Sequence, residues 1–335
     1  MFRADSMEST PFFSDDPPEA LKKIGVKYVG EPDVADIVIA RSGKPFRRIR
    51  RLAKRSAIWT HEPRLDLHRK QLVNVRGVRH PVHIMNLHTG TLLADNYLFI
   101  NANHIAVDRD IALRTFSEKP FRAAMLGTFT RKKSRFGWFL TGRSRRNDPK
   151  DSLIRLADGS LLLDGRNVDL SQCRQSLALH LRAHGFCDIY GRDWPRSTRI
   201  SGESRSGHWE QAKQVILKDY AFNIAFENTI VPHYVTEKIW DAIRDSCLPI
   251  YHGSENRIYD DFPQGTYVEA GGKTMESLAQ EIMQMGTGEA GDRYEACLDV
   301  YLRTLREDRC RDAWASMHQR TADFVEGIMD RPLER

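Results

Sequence analysis

The chain has 335 residues, of which 41% are hydrophobic and 29% are charged, and its formal net charge is +6. This length predicts two domains, each large enough to bury a core of its own. No apolar run approaches the roughly 18 residues that indicate a membrane-spanning helix, and the N-terminus has no apolar segment like that of a signal peptide. We therefore expect a soluble protein with a loose leader, whose translation starts at Met1 or at Met7.

The cysteines and the basic residues narrow the class of protein further. The five cysteines are widely spaced without a CxxC pair, which argues against a zinc site or a disulfide scaffold and favours a reducing cytoplasm. Arg41–Arg55 holds eight basic residues and no acidic one. Such a segment suits nucleic acid, an anionic membrane surface or solvent. Because no nucleic-acid module is recognisable, we expect a solvated face or peripheral contact with the inner face of a membrane, and no nucleic-acid partner.

The first third of the chain predicts an α/β domain of residues 1–117. Apolar runs bounded by turn residues predict strands at Val26–Val29, Ala35–Ala40, Ser56–Thr60, Ile84–Asn86 and Tyr97–Ile100. Apolar residues at helical spacing predict a helix at Phe46–Arg55. His61 and Glu62 directly follow Ser56–Thr60, so we expect them at the carboxyl end of that strand, where ligands of doubly wound sheets bind.

Residues 118–335 predict a second α/β domain. Its expected elements are a strand at Phe121–Thr128, a surface insertion at about 129–169, a helix at Ser171–Ala183, a strand at Cys187–Tyr190 and mostly helices from Met275 onward. The last helix could pack back on the first domain.

The most informative stretch, residues 222–253, predicts a strand, a crossover helix and a second strand. Phe222–Phe226 and Leu248–Tyr251 are apolar runs typical of strands buried on both faces. Thr236 is placed as a helix N-cap, and apolar residues recur beyond it at helical spacing, at Ile239, Trp240, Ile243 and Cys247. The loop before the helix is therefore expected at the carboxyl edge of the sheet.

Six polar residues are expected around one crevice at this edge: Glu227, Asn228, Tyr234, Thr236, Glu237 and Lys238. A helix N-terminus carries free N–H groups and partial positive charge, so it suits a phosphate. Lys238 in the first turn has the wrong sign for the helix dipole, and an anion bound between the two would remove that conflict. Alternatively, Thr236 only caps the helix, and Glu237 and Lys238 form a solvated first turn.

Residues 226–254, FENTIVPHYVTEKIWDAIRDSCLPIYHGS, resemble the donor-site signature of glycosyltransferase family 10, the α-1,3/4-fucosyltransferases. The signature runs F-E-N, a short loop, Y-x-T-E-K, a helix and a P-I/V-Y/V-x-G strand, and the resemblance is dense from Ala178 to Val268. It implies the GT-B architecture, in which two Rossmann-like doubly wound domains face each other across a cleft. The N-terminal domain would bind the acceptor and the C-terminal domain a GDP-sugar. Because no N-terminal anchor is recognisable, the chain is similar to the soluble bacterial members.

The resemblance implies that Arg174 and Lys238 contact the diphosphate of the nucleotide sugar. Arg174 lies near the start of the predicted helix, seventeen residues before Gly191, and this spacing matches the family. Fixed cations and helix dipoles can match the charge of a departing diphosphate without a metal.

By the same resemblance, Asn228 and Tyr234 line the nucleotide and the ribose. Thr236 belongs to the same site, and Glu237 faces the fucose, where developing positive charge favours a carboxylate. Glu227 either binds the nucleotide sugar or makes a structural hydrogen bond to the neighbouring loop, and the residues leave both interpretations open.

For the general base, the resemblance indicates a glutamate just after a strand of the N-terminal domain, a place that Glu62 occupies. A carboxylate partly desolvated by Trp59 would have a raised pKa and be a stronger base. His61 could do the same work, and Glu62 could instead cap the turn before Pro63. Direct attack from the opposite face would invert the β linkage of the nucleotide sugar to an α product.

One sequence feature resembles the metal-binding motif of metal-dependent glycosyltransferases, namely the D-x-D triplet Asp108-Arg109-Asp110. Short triplets arise often by chance, and this one lies in the half expected to bind the acceptor. We therefore expect that no metal or other cofactor is required, although Mg²⁺ or Mn²⁺ could stimulate turnover.

The leading hypothesis is an inverting fucosyltransferase that transfers L-fucose from GDP-β-L-fucose to a hydroxyl of a glycan acceptor. The resemblance implies a GlcNAc-type acceptor and an α-1,3 linkage, in a cell-surface polysaccharide or a lipid-linked oligosaccharide. The alternatives are the same fold with another GDP-sugar, and a non-catalytic protein that binds a glycan or a nucleotide.

Overall fold

The computed structural model describes most of the chain, namely residues 1–7, 10–41, 45–49, 55–61, 63, 71–75, 78–88, 92, 107–130, 153–155, 161–163, 166–198, 200–202, 209–254 and 256–330. The strands are β1 (Phe2–Arg3), β2 (Ile37–Ala40), β3 (Arg55–Thr60), β4 (Gln71–Val75), β5 (Val78–Asn86), β6 (Ala123–Leu126), β7 (Leu153–Arg155), β8 (Leu161–Leu163), β9 (Arg166–Asn167), β10 (Cys187–Tyr190), β11 (Phe222–Ile224), β12 (Leu248–Tyr251) and β13 (Val268–Glu269). The helices are α1 (Glu19–Lys23), α2 (Arg109–Glu118), α3 (Ser171–Ala183), α4 (Trp209–Leu217), α5 (Glu237–Arg244), α6 (Met275–Gln284), α7 (Thr287–Arg306) and α8 (Arg309–Asp330). Across these ranges no helix combines the length and the apolar character needed to cross a membrane.

The chain divides into two compact units. The first comprises residues 1–95, 145–155 and 311–335, and the second comprises residues 96–144 and 156–310. Helix α2 thus groups with the second unit, although the sequence-based boundary at residue 117 assigns most of it to the first. The reason is its packing on α7, where the ring of Phe116 stacks on that of Tyr294 with centroids 4.6 Å apart. Arg109 of α2 also pairs with Glu295 and Asp299 of α7.

The first unit is built on a five-stranded sheet in the order β1-β2-β3-β5-β4. Its first three pairs are parallel, and β4 runs antiparallel to β5. One cluster of buried apolar residues in this unit contains Val38, Ala40, Phe46, Ile49, Ile58 and Val82. Strands β2, β3 and β5 lie where strands were predicted, whereas Tyr97–Ile100 lies outside the described residues. The predicted helix Phe46–Arg55 is described only at its ends, and Pro45–Arg48 is a 3₁₀ helix.

One edge strand of this sheet, β1, lies at the N-terminus, and the prediction of a strand at Val26–Val29 is wrong. Phe2 pairs with Val38 of β2, and Phe2 and Ala4 pack against the buried cluster. Arg3 donates hydrogen bonds to three successive carbonyl oxygens, those of Phe12, Phe13 and Ser14. The segment expected to be a loose leader is therefore tied to the sheet, because the packing of Phe2 and the hydrogen bonds of Arg3 fix it.

Helix α8 belongs mainly to the first unit. Arg55, at the start of β3, donates from Nε to Ile328 O and from Nη2 to Met329 O, both at 2.9 Å. The last carbonyls of a helix have no partner within it and carry partial negative charge, so a cationic donor stabilises them. This contact is one reason why the C-terminal helix groups with the N-terminal sheet.

The second unit is built on a five-stranded sheet in the order β10-β6-β11-β12-β13, and its four pairs are all parallel. Numbered by their order in the chain, these strands run 2-1-3-4-5, a doubly wound arrangement whose topological switch point lies between the first and third strands. Here those strands are β6 and β11, so their carboxyl ends flank the expected ligand crevice. The predicted α/β class with parallel sheets is confirmed.

The predicted strand–helix–strand unit at residues 222–253 is present as β11, α5 and β12. Asn223, the polar residue within β11, donates from Nδ2 to Ala124 O at 3.2 Å, so its amide is paired within the sheet. The apolar side of α5 is fully buried, as helical spacing predicted, at Ile239, Trp240 and Ile243. The carboxyl end of β11 and the first turn of α5 therefore share one edge of the sheet.

Helix α3 begins at Ser171 and ends at Ala183, as predicted. A short backbone pairing sets its position: Leu170 N–H donates to Asn228 O at 3.1 Å, and Ile230 N–H donates to Val168 O at 2.9 Å. This pairing places the first turn of α3 beside the end of β11.

We predict that Gly191→Ala destabilises the protein. Gly191 has a φ of +148°, and a Cβ added there would lie 2.1 Å from Gly127 O, a backbone atom that cannot yield without separating the ends of β6 and β10. We expect a loss of about 2–4 kcal/mol in the free energy of unfolding, measured by urea denaturation. Gly291→Ala in α7 is the control, because a Cβ added to Gly291 would meet nothing within 4 Å. That variant should be neutral or more stable by up to ~1 kcal/mol, and equal losses in both variants would contradict the argument.

Candidate functional site

Arg174 lies at the topological switch point of the second unit. It belongs to the first turn of α3, is only 7% exposed, and donates from Nη1 to Phe226 O at 3.2 Å, just beyond β11. On the other side, a Cβ added to Gly127, just beyond β6, would lie 3.8 Å from Cζ of Arg174. The guanidinium group therefore lies between the carboxyl ends of the two strands that flank the crevice.

The loops after β6 and β10 meet closely beside Arg174. Trp194 donates from Nε1 to Gly127 O at 2.9 Å, and the rings of Phe129 and Trp194 lie 5.1 Å apart. These aromatic residues and Gly127 were not singled out from the sequence. The sequence signal for a tight bend here is the glycine and the proline of Gly191–Pro195.

Glu227 is the buried anchor of the site. Its side chain has no exposed surface, and its carboxylate accepts from the backbone N–H of Thr236 at 2.7 Å. Thr236 Oγ1 lies 2.8 Å from both carboxylate oxygens and donates to them. Thr236 is the N-cap residue of α5, as predicted, but its side chain makes no capping bond to the helix. Glu227 instead binds the N-cap residue from outside the helix.

Lys238 directs its ammonium group at three oxygens of the protein. Nζ lies 2.7 Å from Thr236 Oγ1, 3.0 Å from Glu227 Oε2 and 3.3 Å from Glu237 Oε1. The unfavourable place of Lys238 in the first helical turn is thus offset by two carboxylates of the chain itself, whereas the sequence suggested an external anion for that role. Its side chain is 22% exposed and that of Glu237 is 28% exposed, so both reach the surface of the crevice.

The three charged groups shift one another's pKa. Burial alone would lower the pKa of Lys238, but the carboxylates of Glu227 and Glu237 outweigh it and hold that pKa above its usual value. Burial alone would raise the pKa of Glu237, but the ammonium groups of Lys238 and Lys213 hold it below its usual value. Burial raises the pKa of Glu227 against the opposing charge of Lys238. At neutral pH the crevice therefore presents a charged lysine and an ionised Glu237.

A buried polar chain extends this anchor to the loop after β12. Tyr251 donates from its hydroxyl to Glu227 Oε1 at 3.4 Å, and Asn256 Nδ2 donates to Tyr251 OH at 3.1 Å. The backbone N–H of His233 donates to Asn256 O at 2.9 Å. These hydrogen bonds hold together the loops that follow β11 and β12. In the sequence, the one sign of such a network is the polar hydroxyl of Tyr251 in an otherwise apolar strand.

The remaining predicted residues are placed differently. Asn228 is partly exposed at the end of β11, and its carbonyl holds the start of α3. Tyr234 is only 1% exposed, so its ring lies within the protein. Glu62 lies outside the described residues, and its role as the base stays a prediction. His61 is described, and its ring lies 6.2 Å from that of Trp59.

The D-x-D triplet has local structural roles. Asp108 is the N-cap of α2 and accepts from Ile111 N–H at 2.9 Å, and Arg109 pairs with α7. Within the part of the chain that the structure describes, no group of three or more His, Cys, Asp or Glu side chains is arranged to hold a metal ion.

The second unit is thus a doubly wound α/β domain whose switch point presents cationic side chains beside a helix N-terminus, an arrangement suited to phosphorylated ligands. Residues 165–295 match the family described as glycosyltransferase family 10 (fucosyltransferase), C-terminal part. This range contains Arg174, Glu227, Glu237 and Lys238. This family match therefore lies within the second unit and covers less than half of the chain.

Individual relatives match over short segments. The chain is 34% identical over 90 residues to the GDP-fucose protein O-fucosyltransferase 3 of Gallus gallus, which covers 25% of this chain and 18% of that protein. It is 31% identical over 117 residues to the 3-galactosyl-N-acetylglucosaminide 4-alpha-L-fucosyltransferase FUT3 of Pan troglodytes, which covers 34% of this chain and 26% of that protein. The chain thus spans about a quarter or less of the length of these curated relatives.

A solved structure of an α1,3-fucosyltransferase with GDP-fucose aligns with 82% of this chain and 71% of its own at 15% identity, with a TM-score of 0.38.

We predict that Glu227→Gln destabilises the protein by about 2–4 kcal/mol. The amide oxygen can still accept from Thr236 N–H, but the amide NH₂ then faces the Lys238 ammonium, which loses its buried counter-charge. Urea denaturation measures the loss. Glu281→Gln is the matched control, because it breaks a more exposed carboxylate–lysine pair, with Lys273 at 2.6 Å, and should cost less than ~0.5 kcal/mol. Small effects of similar size in both variants would contradict the anchoring role of Glu227.

Proposed function

We propose that this protein is an inverting fucosyltransferase that moves L-fucose from GDP-β-L-fucose to a hydroxyl of a glycan acceptor. The observation that supports it best is the position of Arg174 and Lys238, both on the carboxyl edge of one sheet and both inside the segment that matches the fucosyltransferase family. A sugar nucleotide needs such cations because its diphosphate gains charge as the sugar departs.

In this proposal the site stabilises the leaving group with fixed charges. Arg174 is a planar bidentate donor suited to phosphate oxygens, and it is held in place by Phe226 O. Lys238 adds a point charge, and the first turn of α5 adds the partial positive charge of a helix N-terminus. Preorganised donors of this kind typically contribute about 3–4 kcal/mol each when they act on developing charge.

Glu237 supplies the opposite charge where the sugar becomes positive. It is the first residue of α5, next in the chain to Lys238, and its carboxylate reaches the crevice surface. As the glycosidic bond breaks, positive charge develops on the fucose ring, and an ionised carboxylate beside it lowers the barrier. The depressed pKa of Glu237 keeps it ionised.

For the acceptor side of the reaction, the proposal is based on the sequence. We propose Glu62 as the base that takes the proton of the acceptor hydroxyl, with a GlcNAc-type acceptor, an α-1,3 linkage and a lipid-linked or cell-surface glycan as the product. The eight basic residues of Arg41–Arg55 support peripheral contact with an anionic membrane from its cytoplasmic side. We also propose that this protein is similar to the soluble bacterial members of the family.

Calorimetric titration with GDP, GDP-fucose and GDP-mannose tests the nucleotide-sugar site. We expect GDP to bind and GDP-fucose to bind in preference to GDP-mannose. Preference for GDP-mannose would favour the same fold with another GDP-sugar. Binding of GDP without release of GDP from GDP-fucose, for any glycan acceptor, would favour a non-catalytic binding protein.

We predict that Arg174→Lys lowers kcat/KM for GDP-fucose about 10²-fold, because the variant keeps the charge but loses the two-pronged donor. Arg182→Lys is the matched control on the same helix, where the arginine contacts Cys187 O and Asp188. It should retain activity within about twofold, because its partners lie at the other end of α3. Equal activity of both variants would remove Arg174 from the site, and thermal melting of both variants separates activity from stability.

We also predict that turnover persists in excess EDTA, measured as GDP release, at no less than about half of the rate without chelator. The reason is that Arg174, Lys238 and the helix N-terminus can together match the charge that a metal would otherwise neutralise. Complete loss that is restored by Mn²⁺ would favour the metal route. Asp108→Ala would then test whether the D-x-D triplet contributes ligands.

A further inference from the structure

Lys238 has no ammonium hydrogen to spare for a new ligand in the arrangement observed. An ammonium group has three N–H donors, and Nζ of Lys238 has three protein oxygens within hydrogen-bond distance. A phosphate oxygen can gain a direct bond to Nζ only if one of these three contacts is released. The identity of the released partner follows from burial and distance.

Two of the three partners are held firmly. Glu227 has no exposed surface and is also bound by the backbone N–H of Thr236, so its release would leave a buried carboxylate without its cation, which is costly. Thr236 Oγ1 makes the shortest contact, at 2.7 Å, and is fixed by its own bond to Glu227. Neither partner has solvent to move into.

Glu237 is the weakest and the most accessible partner. Its contact with Nζ is the longest, at 3.3 Å, and its side chain is 28% exposed. Solvent weakens a partly exposed ion pair relative to a buried one. The carboxylate is thus an anion that occupies the position on Lys238 that a phosphate would take.

We propose that the Glu237 carboxylate is an internal substitute for the diphosphate, which displaces it from Lys238 when the nucleotide sugar binds. This inference rests on the proposed function. Lys238 exchanges one anion for another and keeps its contacts with Glu227 and Thr236. The released carboxylate is repelled by the incoming diphosphate and turns toward the sugar.

The exchange links binding to catalysis. In the ground state the displaced carboxylate of Glu237 has lost its contact with Lys238, so binding is weaker than it would be without Glu237. In the transition state the positive charge on the sugar ring replaces that cation. An interaction that is weak in the ground state and strong in the transition state raises kcat rather than affinity.

Two variants of Glu237 separate this exchange from a general charge effect. Glu237→Gln removes the competing charge, whereas Glu237→Asp keeps the charge but shortens the reach to Nζ by one methylene. Under the proposal both variants bind more tightly: the dissociation constant for GDP falls about fivefold for Gln and at least about twofold for Asp. In both variants kcat falls, so tighter binding accompanies slower turnover.

The experiment is calorimetric titration of the full chain and the two variants with GDP, inorganic pyrophosphate and guanosine, together with kcat for GDP-fucose. Support requires tighter GDP and pyrophosphate binding in both variants and unchanged guanosine binding. Glu281→Gln, which removes the carboxylate of α6 that pairs with Lys273, is the control and should bind GDP as the wild type does.

Three outcomes would overturn the inference. Tighter binding in Glu237→Gln alone would reduce the effect to long-range charge, and unchanged or weaker GDP binding in both variants would exclude competition. Tighter guanosine binding would place the effect away from the diphosphate. Failure of the wild-type protein to bind either GDP or pyrophosphate would instead remove the proposed function, and the exchange with it.

Discussion

The second unit depends on a carboxylate that is fully withdrawn from water. Glu227 stands at the end of β11 with no exposed surface, and a buried charge is tolerated only when it is paired and hydrogen-bonded. Its partners are the N-cap residue and the first-turn lysine of α5, so the requirement to satisfy one carboxylate fixes the helix against the strand. Tyr251 continues the same network into the next strand. The position of Lys238 is a consequence of this anchor.

The crevice itself is a product of strand order. Arg174 and Phe226 are 52 positions apart, and they meet because the chain places β10 on one side of β6 and β11 on the other. Where connections diverge in this way the loops separate and leave a gap at the carboxyl ends of the strands. The tight approach of Gly191 to Gly127 closes the β10 side of that gap. Arg174 is also close enough to Lys238 for its positive charge to oppose the rise in the pKa of that lysine.

Charge in the crevice is balanced rather than simply positive. Lys238 is flanked by Glu227 and Glu237, and Lys213 is paired with Asp241 at 2.9 Å on the buried side of the same helix. A site with uncompensated cations would bind any anion, whereas a balanced one favours ligands that can replace an existing contact. The two carboxylates next to the lysine differ in burial: Glu227 has no exposed surface, whereas Glu237 is 28% exposed.

Local sequence pattern determined the elements of this protein, and tertiary structure decided their partners. The bounds of α3 and β10, the buried side of α5 and the strand β12 follow from apolar periodicity and end signals, which act over a few residues. The sequence pattern did not predict that Phe2–Arg3 lies at the sheet edge, that α2 packs on α7 or that Glu227 is fully buried. Each of these features depends on contacts with segments far along the chain. Thr236 is an example: neighbouring residues predicted its position as the N-cap, but they did not predict its hydrogen bond to Glu227. The free energy that selects such a bond comes from removing Glu227 from water, and burial is a property of the assembled fold.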